Sequence, residues 1–292
     1  MVDVSIIISS YKRHSLFKRT LRSIVNNPPS LPWELVIVDE TSSESDLLLQ
    51  ELSQYSTLRY KFISFNSDLF TEKTTLKKFF NNPSVTNNIG WKNSLGKYLF
   101  LQGNEVITMP NTYDIMINDW QDSNAPYGIV FSETYDIPNS IIDRIGEYGE
   151  NFKGPLLSFC HCWPLQKVEE YESLVTNYLS LTNKATWNLI NGYEEIFTQG
   201  IACEDSMFVY RIRNCPNNKV IFSKAKTYHQ FHGGKTKYYT PLESIISGKK
   251  WDEGLGINRK YYYEQIQTKS YKNPQTWEPG AYGITNIIKH GY

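Results

Sequence analysis

The sequence predicts an α/β fold in which a mostly parallel central sheet is flanked by helices, with a helical extension at the carboxyl end. Short apolar segments rich in β-branched residues recur in the first third of the chain, as expected of strands buried on both faces. Segments with helical spacing of apolar residues lie between them, which is typical of βαβ units. The composition of the 292 residues, 40% hydrophobic and 21% charged, is that of a globular protein.

In the amino-terminal half, strands and helices alternate. The predicted strands are Val4–Ser9, Leu35–Val38, Tyr60–Ser64 and Tyr98–Leu101. The predicted helices are Ser15–Val25, Glu72–Phe80 and Ser84–Leu95, together with one that begins at Ser43 and has Asp46 as its capping-box partner. Parallel strands need such crossover connections, so this order favours parallel pairing.

The second half is less regular and contains neither an internal repeat nor a flexible linker, so we expect it to share one sheet with the first half. Its predicted strands are Tyr127–Phe131, Leu156–Cys162, Val220–Ser223 and Thr227–Phe231. Its predicted helices are Thr112–Trp120, Gln166–Leu179 and Ala202–Ile212, followed in the tail by Pro241–Ser247 and Asn258–Gln267.

Charge and composition exclude several classes of protein. Thirty basic residues balance 30 acidic ones, which argues against a dedicated nucleic-acid binder. Apolar segments are too short to cross a bilayer, and the amino terminus has no basic region typical of a signal peptide. We therefore expect a cytoplasmic protein without a transmembrane segment. The 21 tyrosines fit either biased coding or a surface that faces carbohydrate, and the oligomeric state is not readable.

Polar residues follow three predicted strands, where open α/β sheets bind ligands. These segments are Ser9–Arg13, Asp39–Ser43 and Gln102–Glu105. Asp39 could accept a hydrogen bond from a base or a ribose, or form a helix cap. Asn88 lies two residues before Gly90 in a predicted helix, and helix capping does not explain an asparagine at this position.

Two segments of the second half carry further candidate groups. Glu204 and Asp205 follow the turn 192–195; they either complement a helix dipole or supply a general base. His229, His232 and Lys235 end a strand in a glycine-rich loop, where they could serve a diphosphate or a metal, or merely pack and be solvated. The sequence contains no second cysteine pair to accompany Cys160-His161-Cys162. We therefore expect these cysteines to be small buried residues rather than ligands of a zinc ion.

In this order and spacing, the segments resemble family 2 glycosyltransferases, nucleotide-sugar-dependent enzymes of the GT-A fold. The apolar strand ending in Ser9–Arg13 is similar to the family's strand ending in Thr-Tyr-Asn-Arg, and Leu35–Ser43 is similar to its Val-Val-Asp-Asp-Gly-Ser-Thr segment. The segment Asn88-x-Gly90 is similar to the family's Asn-x-Gly, and Gly96–Leu101 is similar to its Gly-Glu-Tyr segment. Residues 192–195 and Glu204-Asp205 resemble Gly-Phe-Asp-Glu and Glu-Asp. The resemblance covers residues 3–236.

The resemblance implies a role for each matching residue. Donor contacts fall on Ser9, Tyr11, Arg13, Asp39, Asn88, Gln102, Gly103 and Asn104, with Tyr11 and Asp39 on the base, most often uracil. Acceptor contacts fall on Trp187, Tyr193 and Glu194, although Trp187 could equally be buried. Asp205 would be the base of an inverting displacement, with Glu204 placing the acceptor. Metal or diphosphate contacts fall on Glu105, His229, His232 and Lys235.

The implied organisation is a GT-A-like domain over residues 1–238, with a nucleotide-binding half to residue 105 and an acceptor-binding half over 106–238. Residues 239–292 form the helical extension. The partners implied are a nucleotide-sugar donor, expected to be a UDP-sugar, and a glycan, lipid-linked or protein-glycan acceptor.

One departure from the family pattern concerns the cation. The family's Asp-x-Asp, which binds Mn²⁺ or Mg²⁺, is replaced by Gln102-Gly103-Asn104, and hard cations prefer carboxylates. Three alternatives remain open: Glu105 with His232 holds a metal weakly, the enzyme works without metal through Lys235 or Arg211, or the protein binds its donor without turnover. A sugar nucleotidyltransferase fits less well, because no glycine-rich basic loop follows the first strand.

Overall fold

The computed structural model describes residues 1–69, 83–137, 161–162, 177–230, 248–274 and 283–292. Several predicted elements lie outside the described residues. They are the helices Glu72–Phe80 and Pro241–Ser247, most of the helix Gln166–Leu179, most of the strand Leu156–Cys162, and the side chains of the Cys160–Cys162 segment.

Within the described ranges, one ten-stranded sheet runs through both halves of the chain. The strands are β1 (Val4–Ser10), β2 (Trp33–Glu40), β3 (Tyr60–Phe65), β4 (Tyr98–Gly103), β5 (Val106–Thr108), β6 (Tyr127–Ile137), β7 (His161–Cys162), β8 (Leu179–Asn183), β9 (Asn218–Gln230) and β10 (Ile284–His290). Their order is β10-β3-β2-β1-β4-β8-β6-β9-β5, and β7 pairs with β6.

The part of the sheet that belongs to the predicted nucleotide-binding half is parallel. Strands β3, β2, β1 and β4 pair in parallel, whereas β8 is antiparallel to both of its neighbours, β4 and β6. Strands β6 and β9 pair in parallel again, with a register shift between Phe131 and Glu133. The predicted α/β fold with a central sheet flanked by helices is confirmed.

Helices cover both faces of this sheet. They are α1 (His14–Asn26), α2 (Ser45–Ser53), α3 (Ser84–Asn93), α4 (Thr112–Asp122), α5 (Lys184–Ile190), α6 (Glu204–Arg213) and α7 (Gly248–Gln267), with a 3₁₀ helix at Glu195–Gln199. Alternate residues of each central strand face opposite sides, so β1 sends Ile6 to the layer of α1, α2 and α4 and Ile7 to the layer of α3, α5 and α6. Burial on both faces explains the continuous apolar runs.

Three predictions of local structure are wrong. Helix α2 begins at Ser45 with Glu44 at its N-cap position, and no side-chain hydrogen bond caps it, so the predicted capping box of Ser43 and Asp46 does not form. The Ser45 hydroxyl donates to Asp39 instead. Leu179 begins strand β8 instead of ending a helix. The two strands predicted around 220 and 229 are one continuous strand, β9.

The carboxyl-terminal segment contains helix α7, as expected, and then a strand that the sequence pattern did not indicate. Strand β10 pairs antiparallel with β3 and extends the sheet. Beyond it, the hydroxyl of Tyr292 donates to Oε2 of Glu34, which is buried on β2. Glu34 also lies 3.2 Å from the ammonium of Lys61 on β3, so the end of the chain is anchored against the centre of the sheet.

Close packing of α3 on the sheet depends on Gly90. This glycine faces β1, and a methyl group there would overlap Cγ2 of Ile7. Both positions are buried. The helix therefore lies as near to the sheet as backbone atoms allow, which also fixes Asn88 one half-turn away.

We predict that Gly90→Ala lowers the free energy of unfolding by about 1–3 kcal/mol, since an added methyl group must displace a packed core. Gly256→Ala on helix α7 is the matched control, because nothing lies within 4 Å of its added methyl group and alanine favours the helix. Urea denaturation of both variants measures the difference; equal stabilities would contradict the packing argument.

Candidate active site

The carboxyl ends of three parallel strands bring the predicted donor residues to one edge of the sheet. Ser10 of β1 pairs with Asp39 of β2, and Ser9 pairs with Gly103 of β4. Lys12 and Arg13 then take left-handed conformations, with φ of 56° and 61°, so the chain turns sharply at this edge. The strand-end segments recognised in the sequence are therefore neighbours in space.

Asp39 is a fully buried carboxylate at this edge. Its Oδ2 accepts a hydrogen bond of 2.5 Å from the Ser45 hydroxyl. Its Oδ1 accepts no hydrogen bond of regular geometry from the residues that the structure describes. Burial raises the pKa of Asp39 to about 6, against the opposing effects of the Ser45 and Ser10 hydroxyls. A contact between Asp39 and a base stays a prediction.

Tyr11 follows β1 at this edge of the sheet and is partly exposed. Partial burial, and then the charge of Glu40 at the end of β2, raise the pKa of its phenol, so Tyr11 is near the end of β2. A contact between its ring and a base stays a prediction.

Asn88 is fully buried on α3 and binds the backbone of Tyr193. Its Oδ1 accepts from the Tyr193 N–H at 2.9 Å, and its Nδ2 donates to the Tyr193 carbonyl at 3.0 Å. Both ends of its amide hold the turn that begins at Gly192, and a contact between Asn88 and the donor stays a prediction. Nearby, the hydroxyls of Ser9 and Thr86 form a short hydrogen bond.

The side chain of Gln102 is also engaged inside the protein. Its Nε2 donates to the Val106 carbonyl at 2.9 Å and its Oε1 accepts from the Tyr113 hydroxyl at 2.6 Å. This residue holds the turn between β4 and β5, and the predicted donor contact by Gln102 stays a prediction. Asn104 is buried in the same turn, and a donor contact by Asn104 or Gly103 stays a prediction.

Glu105, Arg13 and His229 meet at the sheet edge beside that turn. A carboxylate oxygen of Glu105 lies 3.6 Å from the Arg13 guanidinium, and the other lies 3.8 Å from Nε2 of His229. Strand β5 pairs with β9 here, with Val106 opposite His229. The structure thus brings together three residues that the sequence placed in different segments, and two of them are cationic or can become so.

His232 and Lys235 lie outside the described residues. Within the described ranges, no group of three or more His, Cys, Asp or Glu side chains is arranged to hold a metal ion. The described donor set at this edge is one carboxylate and one imidazole.

Asp205 begins helix α6 after Ala202 and Cys203, which both take left-handed conformations. Its Oδ2 accepts a hydrogen bond of 2.8 Å from the backbone N–H of Asn177, and its Oδ1 accepts one of 3.0 Å from the Tyr193 hydroxyl. The residue remains partly exposed. Desolvation raises the pKa of Asp205 to about 6, and the two hydrogen bonds oppose that rise. Glu204 beside it is also partly exposed.

The three residues predicted to contact an acceptor are buried. Trp187 packs between Trp91 and Phe208, with ring centroids 5.4 and 5.0 Å away. Its predicted stacking on a sugar is wrong, and the alternative of a buried tryptophan is correct. Tyr193 is buried too, although its hydroxyl reaches Asp205.

Glu194 forms a buried ion pair with Arg211 of α6. One oxygen of Glu194 accepts from Nε and NH2 of Arg211 at 2.8 and 2.7 Å, and the other accepts from the Tyr261 hydroxyl at 2.6 Å. Arg211 also donates to the Ser270 carbonyl and to Gln265. Both charges therefore connect α6 to the tail, and acceptor binding by Glu194 and neutralisation of a diphosphate by Arg211 stay predictions.

The dipeptide Asn177–Tyr178 connects the two halves of the site. Asn177 donates its N–H to Asp205. Tyr178 accepts from the N–H of Gly103 at 2.9 Å, and its ring centroid lies 4.6 Å from that of His229. The sequence analysis missed both residues, because the helix predicted over Gln166–Leu179 gave them no functional meaning.

The comparisons with known proteins concern the family and the fold. Residues 5–125, which are fewer than half of the 292 residues, match the model of the family described as glycosyl transferase family 2. The resemblance to this family found in the sequence is confirmed over those residues.

One curated relative is 24% identical over 151 residues, which are 49% of this chain and 42% of the relative. It is the poly(ribitol-phosphate) β-N-acetylglucosaminyltransferase TarP of Staphylococcus aureus. The chain thus spans less than half the length of this relative.

Two solved structures share the fold. TarS 1–349 of S. aureus in complex with UDP-GlcNAc is 14% identical; the match covers 92% of this chain and 74% of TarS 1–349, with a TM-score of 0.54. The mannosyltransferase PcManGT of Pyrobaculum calidifontis, in complex with GDP-Man and Mn²⁺, is 11% identical. The match covers 96% of this chain and 66% of PcManGT, with a TM-score of 0.56. The fold is that of GT-A glycosyltransferases.

In the described segments, no helix combines the length and the apolar character needed to cross a membrane.

We predict that Arg211→Met lowers the free energy of unfolding by about 3–5 kcal/mol, because it leaves the buried charge of Glu194 without its partner. The double variant Arg211→Met/Glu194→Gln removes both charges and should recover part of the loss. Urea denaturation measures these differences.

Lys224→Met on β9 removes an exposed positive charge and serves as the control, with an expected change within about 0.5 kcal/mol. A double variant as unstable as Arg211→Met would contradict the buried-charge explanation.

Proposed function

We propose that the protein transfers a sugar from a UDP-sugar to a hydroxyl group of an acceptor with inversion at the anomeric carbon. The observation that carries this proposal is the dipeptide Asn177–Tyr178. It contacts Asp205 on one side and Gly103 and His229 on the other. Consecutive Cα atoms are about 3.8 Å apart, so only this short segment separates the proposed base from the proposed diphosphate contacts.

The proposed base pocket lies between Tyr11 and Asp39. The buried Oδ1 of Asp39 needs a donor, and the ring N–H of uracil supplies one, whereas the corresponding nitrogen of cytosine is an acceptor. Unpaired buried acceptors discriminate strongly against ligands without the matching donor. This chemistry supports UDP over CDP. UDP-GlcNAc is the first donor to test, since the TarS structure contains it.

The reaction we propose is a single in-line displacement. The acceptor oxygen forms a bond to the anomeric carbon while the bond from that carbon to the diphosphate oxygen breaks. Asp205 takes the proton of the attacking hydroxyl, and the diphosphate leaves with the electron pair. Two hydrogen bonds fix the carboxylate of Asp205, which favours a constant direction of proton transfer.

The charge of the leaving diphosphate would be met at the Glu105, Arg13 and His229 cluster. Glu105 and His229 would offer a divalent cation such as Mn²⁺ one carboxylate oxygen and one imidazole nitrogen. These two residues would hold it, and the bound cation would supply positive charge to the leaving group. Arg13 supplies positive charge from the protein itself.

We predict that Asp205→Asn lowers the rate of UDP-GlcNAc hydrolysis or transfer by about 10²–10⁴ and leaves UDP affinity unchanged, since it removes the general base alone. Steady-state kinetics and calorimetric titration with UDP measure the two quantities. An unchanged rate in this variant would contradict the assignment. A protein that binds UDP but has no turnover at all would instead be a donor-binding module.

The pH dependence follows from the same assignment. Asp205 must be ionised to accept a proton, and its pKa is raised to about 6. We therefore expect kcat/KM to fall about tenfold per pH unit below about pH 6 and to be constant above it. A profile that stays flat to pH 5 would contradict this base.

We predict that UDP raises the midpoint of thermal unfolding more than CDP, and that Mn²⁺ increases the UDP effect. Ligand at 100 times its Kd adds about 2.7 kcal/mol, or roughly 5–10 °C for a domain of this size. Glu105→Gln should abolish the Mn²⁺ increment but not the UDP shift measured with EDTA. Equal shifts with and without Mn²⁺ in the unmodified protein would show that Arg13 and His229 suffice.

A further inference from the structure

We propose that the hydroxyl of Tyr193 is a positioning group for Asp205, which orients the carboxylate toward the acceptor and favours its ionised form; this inference rests on the proposed function. Among the described residues, this hydroxyl donates a side-chain hydrogen bond to Asp205, at 3.0 Å from Oδ1.

The backbone of Tyr193 is fixed on both sides of its peptide unit. Asn88 accepts from its N–H and donates to its carbonyl, and Nδ2 of Asn273 donates to the same carbonyl at 3.0 Å. The turn enters through Gly192 with φ of 69°, where a side chain would meet Oδ1 of Asn88 at 2.5 Å. Helix α3 and the tail thus hold the Cα position of Tyr193.

The ring of Tyr193 is fixed as well. It stacks on Phe208 with centroids 4.2 Å apart and an interplanar angle of 7°, and it contacts Trp187 at 5.7 Å. Phe208 belongs to α6, the helix that carries Asp205. The hydroxyl therefore points from a rigid aromatic cluster at the carboxylate.

Hydrogen bonds close a ring around this carboxylate. Asn177 donates its backbone N–H to Oδ2 of Asp205, and its side-chain Nδ2 lies 3.4 Å from the Tyr193 hydroxyl, to which it donates. The hydroxyl in turn donates to Oδ1. One oxygen of Asp205 is thus held by the backbone and the other by Tyr193, which leaves the remaining lone pairs for the acceptor hydroxyl.

The charges around the pair support the direction of this hydrogen bond. Desolvation, and then the charge of Asp205, raise the pKa of Tyr193 well above its usual value, and Glu204 adds to the rise. The phenol therefore keeps its proton and remains a donor at every pH of interest. Its bond to the ionised carboxylate lowers the pKa of Asp205 against the effect of burial.

The hydroxyl distinguishes this chain from the Gly-Phe-Asp-Glu pattern that residues 192–195 resemble. Phenylalanine would preserve the stack on Phe208 and remove only the hydrogen bond. Tyr193→Phe is therefore a minimal change that tests the hydroxyl alone.

The experiment compares pH profiles of kcat/KM for UDP-GlcNAc hydrolysis. In Tyr193→Phe we expect the acidic limb to move to higher pH by about one unit, since an ionised carboxylate loses a donor. Well above the limb, kcat/KM should return to within about threefold of the unmodified enzyme, because Asp205 is then fully ionised.

Tyr210→Phe is the matched control. Tyr210 lies on the same helix, and its hydroxyl donates to the Ile266 carbonyl rather than to Asp205, so the limb should stay in place. A uniform loss at every pH in Tyr193→Phe, or an unmoved limb, would overturn the positioning role.

Failure of the proposed function gives a different result. If the acidic limb of the unmodified enzyme persists in Asp205→Asn, the base assignment fails. The pair is then tested directly by ¹³C NMR titration of the Asp205 carboxyl, whose signal is assigned by its loss in Asp205→Asn. A higher midpoint in Tyr193→Phe supports the positioning of Asp205 by Tyr193, and an equal midpoint overturns it.

Discussion

The buried ion pair between Glu194 and Arg211 is the interaction on which the second half of the site depends. Arg211 lies about one and two-thirds helical turns beyond Asp205 on α6, and Glu194 follows Tyr193 directly. The pair therefore fixes the helix that carries the proposed base relative to the turn that supplies its hydroxyl partner. A charge pair this deeply buried tolerates little displacement, because a buried charge that loses its partner costs free energy of folding. Helix α7 completes it through Tyr261 and Gln265.

The first half of the site depends on the sheet instead. Parallel register places Ser10 beside Asp39 and Ser9 beside Gly103, so the backbone pairing of the sheet brings residues of three strands together. Strand β8, which continues the sheet beyond β4, follows directly on Asn177–Tyr178. The sheet edge and the ion pair thus position the two groups of residues that this dipeptide connects.

The sequence was most informative where one physical pattern dominates. Apolar runs identified β1 to β4, and residues after those strands, such as Asp39 and Glu105, lie at the site edge. It was least informative where side chains serve the interior. Asn88, Gln102 and Glu194 stand at motif positions, but their partners are distant backbone atoms or Arg211, and no local spacing encodes those contacts. Asn177 acts through its backbone N–H, which any residue other than proline could supply.

The pairing of β10 with β3 has a consequence for how the chain folds. Thr285 and Ser64, which contact each other across this pair, are separated by 221 positions in the sequence. Contacts between such distant segments form slowly, because the entropy of closing a long loop precedes any gain from pairing. Until β10 arrives, β3 presents an open row of backbone N–H and carbonyl groups at the margin of the nucleotide half. The last strand therefore acts as a cover for an edge that would otherwise invite pairing between nascent chains.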